Sequence, residues 1–169
     1  MNPDNILAYD ERGFALLKMG QHTLAINDFS NSFEMNPLNV KTFINRGTAH
    51  AKAGNYGDAV DDYNQALKFD PTNANAMHNR AVALTKMGRF EAAVEGFSQL
   101  IRAYPRNANA YFCRGSAYVP FARSGIAQPL ILLRIMHFDY RLDALGEYEH
   151  AVEDYTRALN LEGSVDSSR

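Results

Sequence analysis

Four arginines, Arg12, Arg46, Arg80 and Arg114, recur at one constant interval, and three aspartates, Asp28, Asp62 and Asp154, form a second column. A guanidinium is a planar fork of donors that matches a carboxylate or a phosphate two bonds at a time. Two chemistries are therefore open to these columns. They can pair with each other and fix packing, the arginine stems lying in the core, or the arginines can form a stripe that reads phosphate or RNA. A net charge of −2 argues against a general nucleic-acid binder, and pairing is the plainer reading. Gly96 stands where the third period should carry its acid, which makes Arg80 the candidate ligand-facing guanidinium.

Lys18, Lys52 and Lys86 repeat at the same interval. A cation in the last turn of a helix complements the helix dipole, and three such charges would also suit an acidic peptide. Catalysis finds little to use. His22, His50, His78, His137 and His150 show no metal-ligand spacing, and Cys113 has no activating neighbour in sequence. No glycine-rich phosphate loop or nucleophile elbow is present. The expectation is a chain that is not an enzyme and needs no cofactor or metal. A lone cysteine cannot form an internal disulfide, and the N-terminus lacks the basic-then-apolar pattern of a signal peptide. The longest apolar run, Pro129–Leu133, is far too short to span a bilayer. The chain therefore reads as cytoplasmic, with no membrane contact.

What must position these side chains is a repeat. Pro37, Pro71 and Pro105 recur with the spacing of the arginines, as do Gly20, Gly54 and Gly88, then Ala25, Ala59 and Ala93, then Phe29, Tyr63 and Phe97. Each period reads as two helices. In the second they are expected over about Val40–Lys52 and Tyr56–Lys68, with Gly54 closing the first and Pro71 blocking continuation of the other. Gly47 and Ala59 allow close backbone approach, and aromatics fill the space between the helices. Strand signals are absent.

A 34-residue helical hairpin with these small and aromatic positions and a closing proline resembles the tetratricopeptide repeat, over about 140 of the 169 residues. The family's usual leucine before the small residue is replaced in every unit by the column arginine. The resemblance implies an all-α fold: an α-solenoid of stacked antiparallel helix pairs in a right-handed superhelix, with three intact 34-residue repeats and an interrupted fourth. It also implies a protein-interaction scaffold whose first helices line a concave groove for an extended peptide. Carried over by position, that groove takes Asp10, Phe14, Lys18, Lys41, Asn45, Thr48, Lys52, His78, Asn79, Lys86 and Phe112. Asn45 and Asn79 match the asparagine ladder of superhelical members, whose amides both donate to and accept from a peptide backbone. Glu11 and Cys113 break the ladder. The carboxylate clamp of chaperone-binding relatives wants Lys and Asn where this chain has Asp10 and Phe14, so a chaperone C-terminal tail is not the expected ligand. Two other readings stand beside this one. The array could stack on further repeats or on another copy, through an exposed terminal helix or the insertion, or it could be part of a larger protein with a separate catalytic domain. "MNPDN" at Met1–Asn5 mirrors "MNPLN" at Met35–Asn39, as though a preceding repeat ended there.

The rhythm fails at Tyr118–Arg141 and resumes in register at Leu142. The expected organisation is 1–117 for repeats 1–3 and the start of repeat 4, 118–141 for the insertion, 142–161 for the remainder, and 162–169 for a polar tail. Removal of the insertion joins Ala117 to Leu142 and restores a well-formed repeat. The residues at its borders are compatible with an unspliced, in-frame intron, which implies a eukaryotic gene. A functional insertion is the alternative. Pro120 is expected to stop the first helix of the fourth unit near Tyr118. Leu130–Leu142 can form an amphipathic helix, and the last helix is expected over Glu147–Leu161, exposing Ala151, Tyr155 and Ala158.

Overall fold

The computed structural model describes residues 3–126 and 140–166, with side chains described over 5–119 and 147–162. Among the described residues there are eight helices and no strand. They are α1 (Pro3–Lys18), α2 (His22–Met35), α3 (Val40–Lys52), α4 (Tyr56–Phe69), α5 (Ala74–Lys86), α6 (Phe90–Ala103), α7 (Ala108–Ile126) and α8 (Tyr140–Asp166). Packing divides the chain into two compact units, Met1–Gly88 and Arg89–Arg169. In the first, each of α1 to α4 packs on the helix that follows it, and α3 also touches α1 and α5. In the second, α6 packs on α7 and α7 on α8.

Local chemistry sets the helix ends. The Asn39 side chain accepts from the Lys41 amide at 3.1 Å, and Asn73 and Asn107 accept from Ala76 and Ala110 at 3.0 and 3.1 Å. These caps satisfy amides that the first helical turn leaves without partners. At the other end Gly54 sits at φ +87°, where a side chain is disfavoured. The Asn55 amide then reaches back to the His50 carbonyl at 2.9 Å, closing the turn between paired helices. Gly20 and Gly88 repeat this conformation.

Close approach within three of the hairpins depends on glycine, Ala81 taking that position on α5. A Cβ on Gly47 would lie 2.9 Å from Tyr63 Cε1 and 3.1 Å from Asp62 Cβ. Gly13 meets the Phe29 ring in the same way, and Gly115 the Tyr155 ring. The core follows these contacts: Leu17, Ala25, Phe29 and Ala49 form one buried cluster, and Phe43, Ala66 and Ala76 another, the latter covered by Phe33 and Leu67.

The fourth period departs from expectation. Pro120 does not stop its first helix, since α7 runs on to Ile126. Proline costs the helix one hydrogen bond, to the Ser116 carbonyl, and helix continues on its far side. The last helix is longer than expected at both ends, starting at Tyr140 and reaching Asp166 into the expected polar tail. The break is thus taken up at the turn end of the hairpin, where α7 gains residues and α8 starts early. Most of the candidate helix Leu130–Leu142 lies outside the described residues, and its last three residues open α8. Ala151 and Ala158 are buried and Tyr155 half-buried, against expectation, while Val152 and Leu159 are exposed. The stripe expected to be exposed is the one that packs on α7, where Tyr155 meets Gly115. No described helix is long and apolar enough to cross a membrane.

Candidate binding surface

Three of the four column arginines are held by carboxylates. Arg12 donates through Nε and Nη2 to Asp28 at 2.6 and 2.7 Å, Arg46 to Asp62 at 2.9 and 2.7 Å, and Arg114 to Asp154 at 2.7 and 2.7 Å. Each aspartate is buried. The Arg46 and Arg114 side chains are 19% and 21% exposed, against 65% for Arg12. The Asp154 hydrogen bonds hold the Arg114 guanidinium above its ordinary pKa, and those of Asp28 do the same for Arg12.

A further partner was legible in the sequence and was missed. Arg46 Nη1 donates to Ser30 at 3.4 Å, Arg80 Nη1 to Asn64 at 3.2 Å, and Arg114 Nη1 to Ser98 at 2.9 Å. Ser30, Asn64 and Ser98 recur with the spacing of the arginines, each on the helix preceding its own. Each of these contacts ties one hairpin to its neighbour. The candidate ligand-facing guanidinium, Arg80, is therefore directed at Asn64 on α4, and burial lowers its pKa.

Among the groove candidates of the first unit, α1 carries Phe14 and Lys18, α3 carries Lys41, Asn45, Thr48 and Lys52, and α5 carries His78, Asn79 and Lys86. Lys18, Lys52 and Lys86 are each the last residue of their helix and are exposed. Lys18 Nζ lies 5.1 Å from the centre of the Phe14 ring. Lys41 approaches Glu11 at 3.9 Å. Asn45 and Asn79 are half-buried, and neither carboxamide hydrogen-bonds to another described residue. His78 is half-buried, and burial lowers its pKa.

Two candidates serve packing instead. Thr48 donates to the Ile44 carbonyl at 2.8 Å and accepts from the buried Tyr63 hydroxyl at 3.3 Å. Asp10, expected in the groove, is buried: it accepts from Thr42 Oγ1 at 3.2 Å and Asn39 Nδ2 at 3.4 Å. Its side chain is committed to α3 and the residue that caps it.

In the second unit Phe112 is 53% exposed and its ring centre is 5.6 Å from that of Tyr155. With Asn109, Ala158, Leu159 and Glu162 these rings line a cleft of about 470 Å³. Burial pushes the Cys113 thiol above its ordinary pKa, which disfavours the reactive thiolate. The described residues hold no cluster of three or more His, Cys, Asp or Glu able to bind a metal.

Antiparallel helix pairs repeating one Arg–Asp register define a helical-hairpin repeat protein, an α-solenoid. Residues 47–88 match the family described as TPR repeat, and residues 78–119 the one described as tetratricopeptide repeat. Over residues 47–119 the chain carries tetratricopeptide repeats. No curated protein matches it. Solved structures do. A crystal structure of MamA superposes at a TM-score of 0.78 and 18% identity, covering 98% of this chain and 83% of MamA. The second TPR domain of human RPAP3, in complex with an HSP70 peptide, superposes at 0.64 and 24%, covering 67% of this chain and 94% of that one. The first TPR of Spaghetti (RPAP3), bound to an HSP90 peptide, does so at 0.67 and 20%, covering 72% and 97%.

Proposed function

We propose that this protein is an interaction scaffold that holds an extended peptide along α1, α3 and α5. The observation that carries the reading is the pair Asn45 and Asn79. They occupy the same position on consecutive first helices, and neither carboxamide spends its donors or acceptors on a described residue. A half-buried amide of this kind presents one acceptor and two donors to a passing backbone. Lys18, Lys52 and Lys86, exposed at the helix ends, favour a partner with acidic residues. Each exposed Lys–carboxylate contact would contribute only about 0.2–1 kcal/mol, so the lysines bias choice and the amides set alignment.

The solved relatives of RPAP3 type hold chaperone peptides. Here the clamp position carries Asp10, whose carboxylate is already occupied by Thr42 and Asn39. A second carboxylate would be repelled there, so the partner is an internal extended segment and not a chaperone tail.

The test begins with an extended peptide selected from a display library on the full chain. Asn45→Ala with Asn79→Ala should weaken its binding at least about tenfold, roughly 1.4 kcal/mol, with helicity unchanged. Equal affinity for the double variant would sink the ladder reading.

A further inference from the structure

Helix α1 of the first unit and helix α8 of the second present matching halves of an interface that the chain already uses internally. In the first unit α3 packs on α2: the Phe43 ring meets the Phe33 ring edge-on at 5.1 Å, and Arg46 Nη1 donates to Ser30. One hairpin on, Leu67 of α4 packs in the cluster containing Ala76 of α5. Position by position, α1 is the counterpart of α3 and α5, with Tyr9 for Phe43, Ala8 for Ala76 and Arg12 for Arg46. Counted from the paired aspartates, α8 is the counterpart of α2 and α4, with Leu159 for Phe33 and Leu67 and Thr156 for Ser30 and Asn64.

Both halves are open. Leu159 is 68% exposed and borders the cleft lined by Phe112 and Tyr155. Ala8, Tyr9 and Arg12 border a smaller cleft of about 250 Å³ on α1. Arg12 holds Asp28 through Nε and Nη2, and its side chain is far more exposed than those of Arg46 and Arg114. Those two each have a preceding helix that offers Nη1 a serine hydroxyl. The Thr156 hydroxyl donates to the Val152 carbonyl at 2.8 Å, which leaves its oxygen able to accept.

We propose that a second copy of this chain docks head to tail, its α1 seated against α7 and α8 as α3 sits on α2. Ala8 and Tyr9 then cover Leu159 and Phe112, and Arg12 gains Thr156 as the acceptor for Nη1. Such a contact joins two different faces, so it propagates from copy to copy rather than ending in a symmetric dimer.

The test is the mass of the full chain against concentration, by sedimentation, for the parent and for Ala8→Glu and Leu159→Glu. Both positions are exposed, and circular dichroism checks that each variant is folded. The parent should grow beyond a dimer as concentration rises, and each variant alone should need at least about tenfold more protein to associate. Mixing the two should restore one contact, between the intact α1 face of the Leu159 variant and the intact α8 face of the Ala8 variant, and stop at a 1:1 pair. Should either variant lose helicity, Ala8→Gln and Leu159→Gln provide the milder pair. A parent monomeric to about 1 mM would overturn the proposal, as would association that Ala8→Glu leaves untouched. In the first case the cleft is not a contact between copies. In the second, α8 meets another α8.

Discussion

Arg46 and Asp62 show how one residue pair can hold two levels of structure. Their bidentate bond closes a hairpin, and the same guanidinium reaches Ser30 on the preceding helix while lying 4.9 Å from the Phe33 ring centre. Asp62→Ala should therefore cost about 3–5 kcal/mol, because it strands a largely buried guanidinium. Asp28→Ala should cost less, since Arg12 can turn to water. Urea unfolding of both variants checks the order, and equal losses would mean that burial of the arginine is not what matters. At Gly47 the limit is steric. A Leu there drives its Cβ into the Tyr63 ring and Asp62, so Gly47→Leu should lose about 1–3 kcal/mol or more. Its thermal midpoint, compared with that of the parent, is the measurement. A midpoint near the parent's would show that the ring has room to move.

At the scale of elements, the fourth hairpin does what short-range rules forbid. Pro120 lies inside α7, and α8 begins well before the repeat register calls for it. The separation between Arg and its bidentate Asp is 16 residues at Arg46 and 40 at Arg114. Loop-closure entropy rises only as the logarithm of length, so the longer excursion costs about 0.8 kcal/mol more, little enough for the pair to form. Deleting Tyr118–Arg141 joins Ala117 to Leu142 and returns the separation to that of the other hairpins. Slower amide exchange across 148–161 is expected in the deleted chain. The opposing contribution is the contact of Tyr118 with His150, their ring centres 5.4 Å apart. Faster exchange after deletion would show that this contact and the helix extensions are integral to the hairpin.

At the scale of the molecule, the proposed peptide surface on α1, α3 and α5 and the proposed end contacts use different residues. Asn45→Ala with Asn79→Ala should therefore leave the concentration dependence of mass unchanged, and Leu159→Glu should leave peptide affinity unchanged. Sedimentation and peptide titration on both variants test this, and cross-effects would mean one surface serves both roles. Much of the architecture was legible from periodicity alone. Helix α3 begins and ends where the pattern of Phe43, Gly47 and Gly54 puts it, because a constant period repeats the same capping, turn and packing chemistry in every unit. The columns of Arg, Asp, Lys and Asn also came from spacing. What spacing could not supply was the direction of each side chain. It placed Asp10 in a groove, but the chain had set Thr42 and Asn39 within reach to bury it. It offered Arg80 to a ligand, while Asn64 stood one helix away. It read Pro120 as a stop, though a proline costs a helix a few kcal/mol and surrounding structure can outweigh that. A repeating sequence determines which helices pair because that information is local and recurs. The partner of an individual polar group is settled only by tertiary packing, where donors and acceptors from different helices come within hydrogen-bond distance.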